Sequence, residues 1–337
     1  MDTQDFEHET PPSDVFMAPS IHKSEILKGA SYSHFSPIPA HIADDMSKEC
    51  VLGVDEAGRG PVLGPMVYAL LYLPIELQQS LLAETHHFDD SKVLTPEVRS
   101  SLMRKLCTRD SDLYASCGWA TRLLSARDIS ADMLSPAQHN LNAQAMDATI
   151  ALIKGVLAQG VNVKEIYIDT IGRPDVYQKK LERIWPTIGI TVAKKADSLY
   201  PVVSAASVCA KVTRDAALDL CYEPYQMVTA SEGTHDTGAK GAVAWGSGYP
   251  SDARTTAWLK QSMDPVFGWG NECRFSWGTA KELLEGKAAD LKVEWPTDDD
   301  ASNDTRMTDF FVSRGEEGGD ELVDWFGKRV TEEMGVF

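Results

Sequence analysis

Val51-Leu52-Gly53-Val54-Asp55-Glu56-Ala57-Gly58-Arg59-Gly60-Pro61, extended by Val62-Leu63-Gly64-Pro65, is the stretch on which the reading of this chain turns. A short apolar run delivers two adjacent carboxylates and then breaks at glycine and proline, the pattern of a buried strand ending in a turn. Two acids at the exit of a buried strand are costly unless paired, protonated or holding a metal. The glycines behind them let the backbone approach a ligand closely, with N–H groups free to face an anion. Successive strand residues point to opposite faces, so Asp55 and Glu56 can share a site only if the strand twists or ends there. The chemistry this points to is a divalent metal acting beside a phosphate.

Beyond this stretch, the chain has 337 residues, 43% of them hydrophobic, enough for a sizeable core. Its formal net charge of −18 is unevenly spread: residues 1–50 carry −6, residues 282–337 carry −10, and residues 51–281 only −2. The acidity therefore sits in the flanks, leaving room for a local basic face and arguing against indiscriminate DNA coating. Six cysteines form no C-x-x-C pair and no metal-finger spacing, which predicts buried thiols in a reducing compartment. The N-terminus lacks a signal-peptide pattern, and the longest apolar run, 61–75, is too short to span a bilayer. A soluble intracellular protein with no membrane partner is expected.

Residues 1–49, rich in Pro, Ser, His and acids, read as a disordered acidic arm. Strands are expected over 51–55, 66–73, 113–121, 163–169 and 188–194. Helices are expected over 97–106 (Thr95 as cap, Pro96 at the first position), 142–158, 201–220, 252–262 and 277–287. Strands first and then alternating helices and strands imply an α/β protein with a mixed central sheet and helices on its faces. The domains expected are an arm (1–49), a catalytic domain (50–225), an insertion loop with a helical subdomain (226–295), and an acidic linker with an amphipathic tail (296–337).

Acids recur at strand ends: Asp55 and Glu56 after the first, Asp169 after 163–168, and Asp197 after 188–194. Such acids converge on one edge of a sheet, where α/β sites tend to lie. Magnesium takes a few carboxylates plus waters and phosphate oxygens, and two ions about 4 Å apart can activate water and stabilise a leaving oxygen. Asp197 read alone fits a helix cap or a solvated group equally well.

The run Asp55-Glu56-Ala57-Gly58-Arg59-Gly60-Pro61 resembles the signature of type 2 ribonuclease H (the ribonuclease HII family). The same resemblance extends to Asp90-Ser91-Lys92, Asp169-Thr170-Ile171-Gly172, the run from Lys195 to Ser207, and Gly246-Ser247-Gly248-Tyr249-Pro250. Motifs in this order, over roughly residues 50–285, make it specific to the catalytic subunit of the eukaryotic heterotrimeric enzymes. The resemblance implies a ribonuclease H-like fold with a C-terminal helical extension. It also implies two Mg²⁺ or Mn²⁺ ions held by Asp55, Glu56, Asp169 and Asp197. Gly58, Arg59 and Gly60 would meet the 2′-OH side of a ribonucleotide, the group that distinguishes RNA from DNA. Tyr249 would pack on the deoxyribose beyond it; read without the family, it is a buried turn tyrosine.

Lys92, Lys211 and Arg214 are phosphate candidates, the last two at i and i+3 on one helix face; only family position lifts Lys92 above an ordinary surface lysine. Asn140 matches a substrate-contacting asparagine of the family and fits a helix start equally well. The implied activity is endonucleolytic hydrolysis of RNA in RNA/DNA hybrids and 5′ to single ribonucleotides in DNA, leaving 3′-OH and 5′-phosphate ends. The implied setting is nuclear, in ribonucleotide excision repair and primer removal, with two accessory ribonuclease H2 subunits bound through the C-terminal region. Residues 304–311 are similar to a docking box for the sliding clamp PCNA, with Met307, Phe310 and Phe311 as anchors and Asp304 where glutamine usually stands. The chain departs from the family at 229–245, which looks like an insertion, in the length of its N-terminal arm, and at Pro136 and Gln138, where relatives often carry basic residues. The rival readings are another two-metal nuclease of the same fold and a non-catalytic replication scaffold; the four acids argue against the scaffold, and the Gly-Arg-Gly turn with Tyr249 against the other nucleases.

Overall fold

The computed structural model describes residues 16–88, 94–136, 139–170, 172–231 (side chains to 225) and 245–286. By backbone proximity the chain divides into Met1–Asp290 and Leu291–Phe337, the second wholly outside the described residues.

The chain enters through a short helix α1 (Lys23–Leu27), strand β1 (Tyr32–Phe35) and a helical turn α2 (Ala40–Ala43). Strand β2 (Cys50–Ala57) carries the apolar run and both of its acids, and it runs antiparallel to β3 (Met66–Pro74), buried at every position. A π-helical segment, Gln78–Thr85, follows β3. Helix α3 (Pro96–Cys107) begins as its sequence dictates: Pro96 occupies the first turn and the Thr95 side chain accepts from the Val98 amide. Helix α4 (Asp112–Ser116) and strand β4 (Gly118–Leu124) replace the single strand expected over 113–121. The Ser111 hydroxyl caps a helical turn there by accepting from the Tyr114 amide at 3.1 Å.

Helices α5 (Ala126–Leu134) and α6 (Leu141–Ala158), strand β5 (Val163–Asp169), helix α7 (Pro174–Ile184) and strand β6 (Gly189–Ala193) come next. A 3₁₀ turn, Ala196–Ser198, leads into the long helix α8 (Pro201–Ser231); α9 (Ala253–Gln261) and α10 (Gly278–Glu285) close the described chain. The sheet order is β1-β4-β3-β2-β5-β6, with β2–β5 and β5–β6 parallel and the other pairs antiparallel. This is the mixed α/β sheet expected.

Alternation along the two central strands divides the core. Val51, Val67, Ala69, Leu71 and Leu73 face the layer built by α3 and α8, whereas Leu52, Val54, Met66 and Leu70 face that of α6 and α7. Gly53 belongs to the α8 face, and its lack of a side chain sets how near that helix comes. A Cβ there would stand 2.4 Å from the Val202 carbonyl oxygen and 2.7 Å from the Val203 nitrogen.

Two boundaries expected from sequence require correction. Residues 16–49 are not a disordered arm: β1 pairs with β4 and extends the sheet, Ile26 and Ile42 are buried, and Asp128 accepts from both the amide and hydroxyl of Ser31. Residues 1–15 lie outside the described residues. The second concerns 226–295, whose described residues 245–286 pack on the catalytic unit. Trp245, Trp258, Trp269 and Cys273 form one apolar cluster with Val62 and Leu63, just after the Gly-Arg-Gly turn, and with Leu218 of α8. The 232–244 part of the expected insertion lies outside the described residues. Six free thiols agree with the cysteine reading, four of them buried. No helix among the described residues is long and apolar enough to cross a membrane.

Candidate active site

Parallel pairing of β2 with β5 sets Val54 against Ile168, so Asp55 and Asp169 stand one residue further along adjacent strands. Thr170 donates its amide to the Ala193 carbonyl at the end of β6, and the Asp169 carboxylate accepts from the Ala196 amide at 2.9 Å. That bond fixes the 3₁₀ turn holding Asp197 beside the strand ends; Lys195, at φ 59°, makes the tight entry. The ends of β2 and β5 and the turn after β6 thus place these acids at one edge of the sheet.

Asp55 points toward α8 and is 5% exposed, as is Asp197. Burial, with Asp169 and Asp197 nearby, pushes the Asp55 carboxyl up, although the Ser207 hydroxyl and the Glu56 amide pull the other way. Glu56 faces the α6–α7 side; burial and the adjacent Asp55 raise it well above the usual carboxylate range against the opposing charge of Arg59. These acids are therefore close enough to repel one another's charge, and among the described residues burial outweighs the positive charge that Arg59 supplies. Among the described residues no three acid, histidine or cysteine side chains are set as a ligand group for an ion. A hard ion such as Mg²⁺ needs only one or two carboxylates, the rest of its shell being water and phosphate oxygen. The donor set, all oxygen with neither thiolate nor imidazole, fits Mg²⁺ or Mn²⁺ rather than zinc or copper.

The turn after β2 is held from below by residues that no spacing in the sequence announced. Arg274, fully buried, donates to the carbonyls of Gly58 (2.6 Å), Arg59 (3.0 Å) and Gly64 (3.0 Å). Trp277 donates its indole N–H to the Gly60 carbonyl at 3.0 Å, and the Arg274 guanidinium lies 4.8 Å from its ring centroid. Burial, with Arg214 nearby, lowers Arg274 to about 9. With the carbonyls of Gly58, Arg59 and Gly60 bound beneath, their amides are the groups left for a ligand. Gly58 has φ 78°, and a Cβ would meet the Pro65 carbonyl oxygen at 2.7 Å, so the residue has to be glycine. The Arg59 guanidinium donates to the Asn142 side-chain oxygen and, at 3.4 Å, to the Tyr68 hydroxyl.

Tyr249 lies on this turn. A Cβ on Gly60 would come within 3.2 Å of its ring, and the side chain is 41% exposed. Its loop is rigidly carried: Asp252 caps α9 and also accepts from the Ser247 amide and hydroxyl. Thr255 accepts from the Gly248 amide and donates to Trp245, and the Gly248 carbonyl accepts from Val62 and Leu63.

The remaining candidates are placed differently. Arg214 is 7% exposed and donates to the Ser247 carbonyl at 2.9 Å, which ties α8 to the tyrosine loop. Lys211 is half-buried one turn earlier on α8. Asn140 caps α6, accepting from the Asn142 and Ala143 amides, and also lines a cleft beside Glu56. Lys92, Met307, Phe310 and Phe311 lie outside the described residues.

A mixed sheet whose strand ends gather carboxylates beside a glycine turn defines a ribonuclease H-like nuclease. Comparison with known proteins agrees. The ribonuclease H2 of Pyrococcus horikoshii superposes with a TM-score of 0.54 at 26% identity, covering 70% of this chain and 97% of that one. The ribonuclease HII of Archaeoglobus fulgidus, solved in complex with PCNA, superposes at 0.55 with 24% identity, covering 72% of this chain and 100% of that one. The profile of the ribonuclease HII family matches residues 52–280. A ribonuclease H2 subunit of Neurospora crassa is 56% identical over 318 residues, 93% of this chain and 94% of its own length. The chain belongs to the ribonuclease HII family. It is therefore a ribonuclease H, an endoribonuclease acting on RNA paired with DNA.

Proposed function

We infer that this chain is a catalytic subunit that cuts 5′ to a ribonucleotide, whether in an RNA/DNA hybrid or single in duplex DNA, leaving 3′-OH and 5′-phosphate ends. The observation that carries this reading is the seating of Tyr249 on Gly60, two turns of chain brought together immediately beyond the acids of β2. A ring beside a turn with free amides suits a ribose followed by a deoxyribose, read through sugar shape and the 2′-OH and not through base edges.

Asp55, Glu56, Asp169 and Asp197 would hold two divalent ions, which supply water activation and leaving-oxygen stabilisation when bound. The chain's own residues provide the rest. The amides of Gly58 and Gly60 approach the 2′-OH, Arg59 is aimed by Asn142 and Tyr68, and Tyr249 covers the next sugar. Arg214 and Arg274 bind backbone carbonyls and keep the two loops in register. We place the protein in the nucleus, in ribonucleotide excision repair and RNA primer removal, with two accessory subunits. The sliding clamp is the partner suited to Met307, Phe310 and Phe311; the PCNA complex of the archaeal relative lends that reading support.

The test maps the cut in an end-labelled duplex bearing one ribonucleotide, by the full chain with its copurifying partners and Mg²⁺. The expected product ends at the nucleotide 5′ to the ribose with a 3′-OH. A cut on the 3′ side, a 2′,3′-cyclic phosphate, or equal cutting of an all-DNA duplex would overturn the reading.

A further inference from the structure

A concavity of about 550 Å³ opens beside Glu56 and Asp169 and runs between α6 and α7. One face of α7 forms its wall: Arg173, Val176, Tyr177 and Lys180 stand at i, i+3, i+4 and i+7. Met146 of α6 joins Val176 and Tyr177 in an apolar floor, and the Tyr177 hydroxyl bonds Thr149 at 2.9 Å, which fixes the ring. The cleft thus has an apolar floor between two exposed cations, with a pair of carboxylates at its inner end.

We propose that this cleft seats the cleaved nucleic-acid strand on one side of the scissile bond, with Arg173 and Lys180 as its phosphate contacts. This rests on the function proposed above, because the strand is placed by putting its scissile phosphate at Asp169 and Glu56. From there the cleft continues along α7 to Lys180. Sugars and bases present flat apolar surface to the floor while phosphates reach the rim. Asp147 lines the cleft away from its inner end and Asp175 lies beside Arg173; neither bars this path. Asp147 is 3.0 Å from a His139 ring nitrogen. Asp175 pairs with Arg173 at 2.9 Å, but the two side chains are 56% and 79% exposed, and an exposed pair of this kind yields readily to a phosphate. No ion pair engages Lys180 among the described residues, so its charge is available. Neither cation reads sequence; their effect is on affinity and on the position of the strand.

Binding of a ribonucleotide-bearing duplex to the full chain with its partners is measured by fluorescence anisotropy in EDTA over a salt series. Relative to the parent, Arg173→Gln/Lys180→Gln is expected to bind about tenfold more weakly at ~0.15 M salt, with the log–log salt slope reduced by about two. The charge-matched control Lys154→Gln/Lys179→Gln removes exposed lysines from the same two helices outside the cleft and should stay within about twofold of the parent. Shortening the ribonucleotide strand on one side should bring parent and cleft variant together, while shortening the complement should not. Equal losses in both double variants, no loss in either, or a penalty that follows the complementary strand would overturn the proposal. If the parent cleaves the duplex in Mg²⁺ and the cleft variant binds like it, only this assignment fails; if the parent does not cleave, the function proposed above fails and takes this assignment with it.

Discussion

Replacing Gly53 by alanine adds one methyl group at the most crowded point between the sheet and α8. The new Cβ would lie 2.4 Å from the Val202 carbonyl oxygen and 2.5 Å from its carbon, against the 3.4–4 Å of ordinary contact. Both are backbone atoms in the first turn of α8, so no rotamer relieves the clash, and helix or strand has to move by about 1 Å; overpacking of this kind costs roughly 1–3 kcal/mol and sometimes more. Gly189, at the start of edge strand β6, is the matched control. Its Cβ would meet nothing nearer than the Lys164 carbonyl oxygen at 3.5 Å. There alanine reduces the freedom of the unfolded chain and should be neutral or stabilising by up to ~1 kcal/mol. Urea unfolding of the two variants should therefore differ by about 1–4 kcal/mol, with Gly53→Ala the weaker. Because α8 carries Ser207 beside Asp55, Gly53→Ala should also lose cleavage rate under conditions where it is fully folded. Two variants within about 0.5 kcal/mol of each other, with equal rates, would refute the claim that glycine here sets the distance between β2 and α8.

Arg274→Met removes the donor shared by three buried carbonyls; it should cost about 3 kcal/mol or more in chemical denaturation and lower kcat, and a variant as stable and active as the parent would show that the turn holds itself. The N-terminal segment should loosen in mild acid. His34 is held below its usual range by burial and by His22, whose ring nitrogen lies 3.3 Å away. A base whose folded value is depressed contributes stability that is complete above about pH 6.5 and lost as pH falls below it. Hydrogen-exchange protection over residues 16–49, corrected for the slower intrinsic exchange in acid, should therefore fall from pH 7.5 to 5.5, and His34→Phe should flatten the trend; protection that is constant or rises toward acid would contradict this.

The sheet centre was legible because β2 and β3 alternate between two buried faces and end in features with few explanations, a pair of acids or a glycine turn. The start of α3 was legible for the same reason, since a threonine cap followed by proline has a local cause. Gly53 was readable in principle: a glycine inside a buried strand signals the close approach of another backbone. What escaped the sequence depends on distant partners. Strand β1 has four half-buried residues, shows no alternation, and acquires its strand character from pairing with β4 some 90 positions later. Arg274 and Trp277 reach carbonyls more than 200 residues back, where spacing carries no signal. Helical periodicity set Arg214 beside Lys211 but gives direction and not burial, so its bond to the Ser247 carbonyl had no signal in the spacing.

Metal-dependent hydrolysis at a ribonucleotide by the acids at the ends of β2 and β5 has one most direct measurement. It is single-turnover cleavage of a duplex carrying one ribonucleotide, in Mg²⁺, by the parent chain and by Asp55→Asn, each with its partners. Asparagine keeps the size and an acceptor for the Glu56 amide, which the aspartate holds at 2.7 Å, but removes the charge. A loss of at least about a thousandfold, or ~4 kcal/mol of transition-state stabilisation, is expected, with the variant still folded and still binding the duplex. Cleavage by Asp55→Asn at the parent rate would contradict a role for these acids in the chemistry.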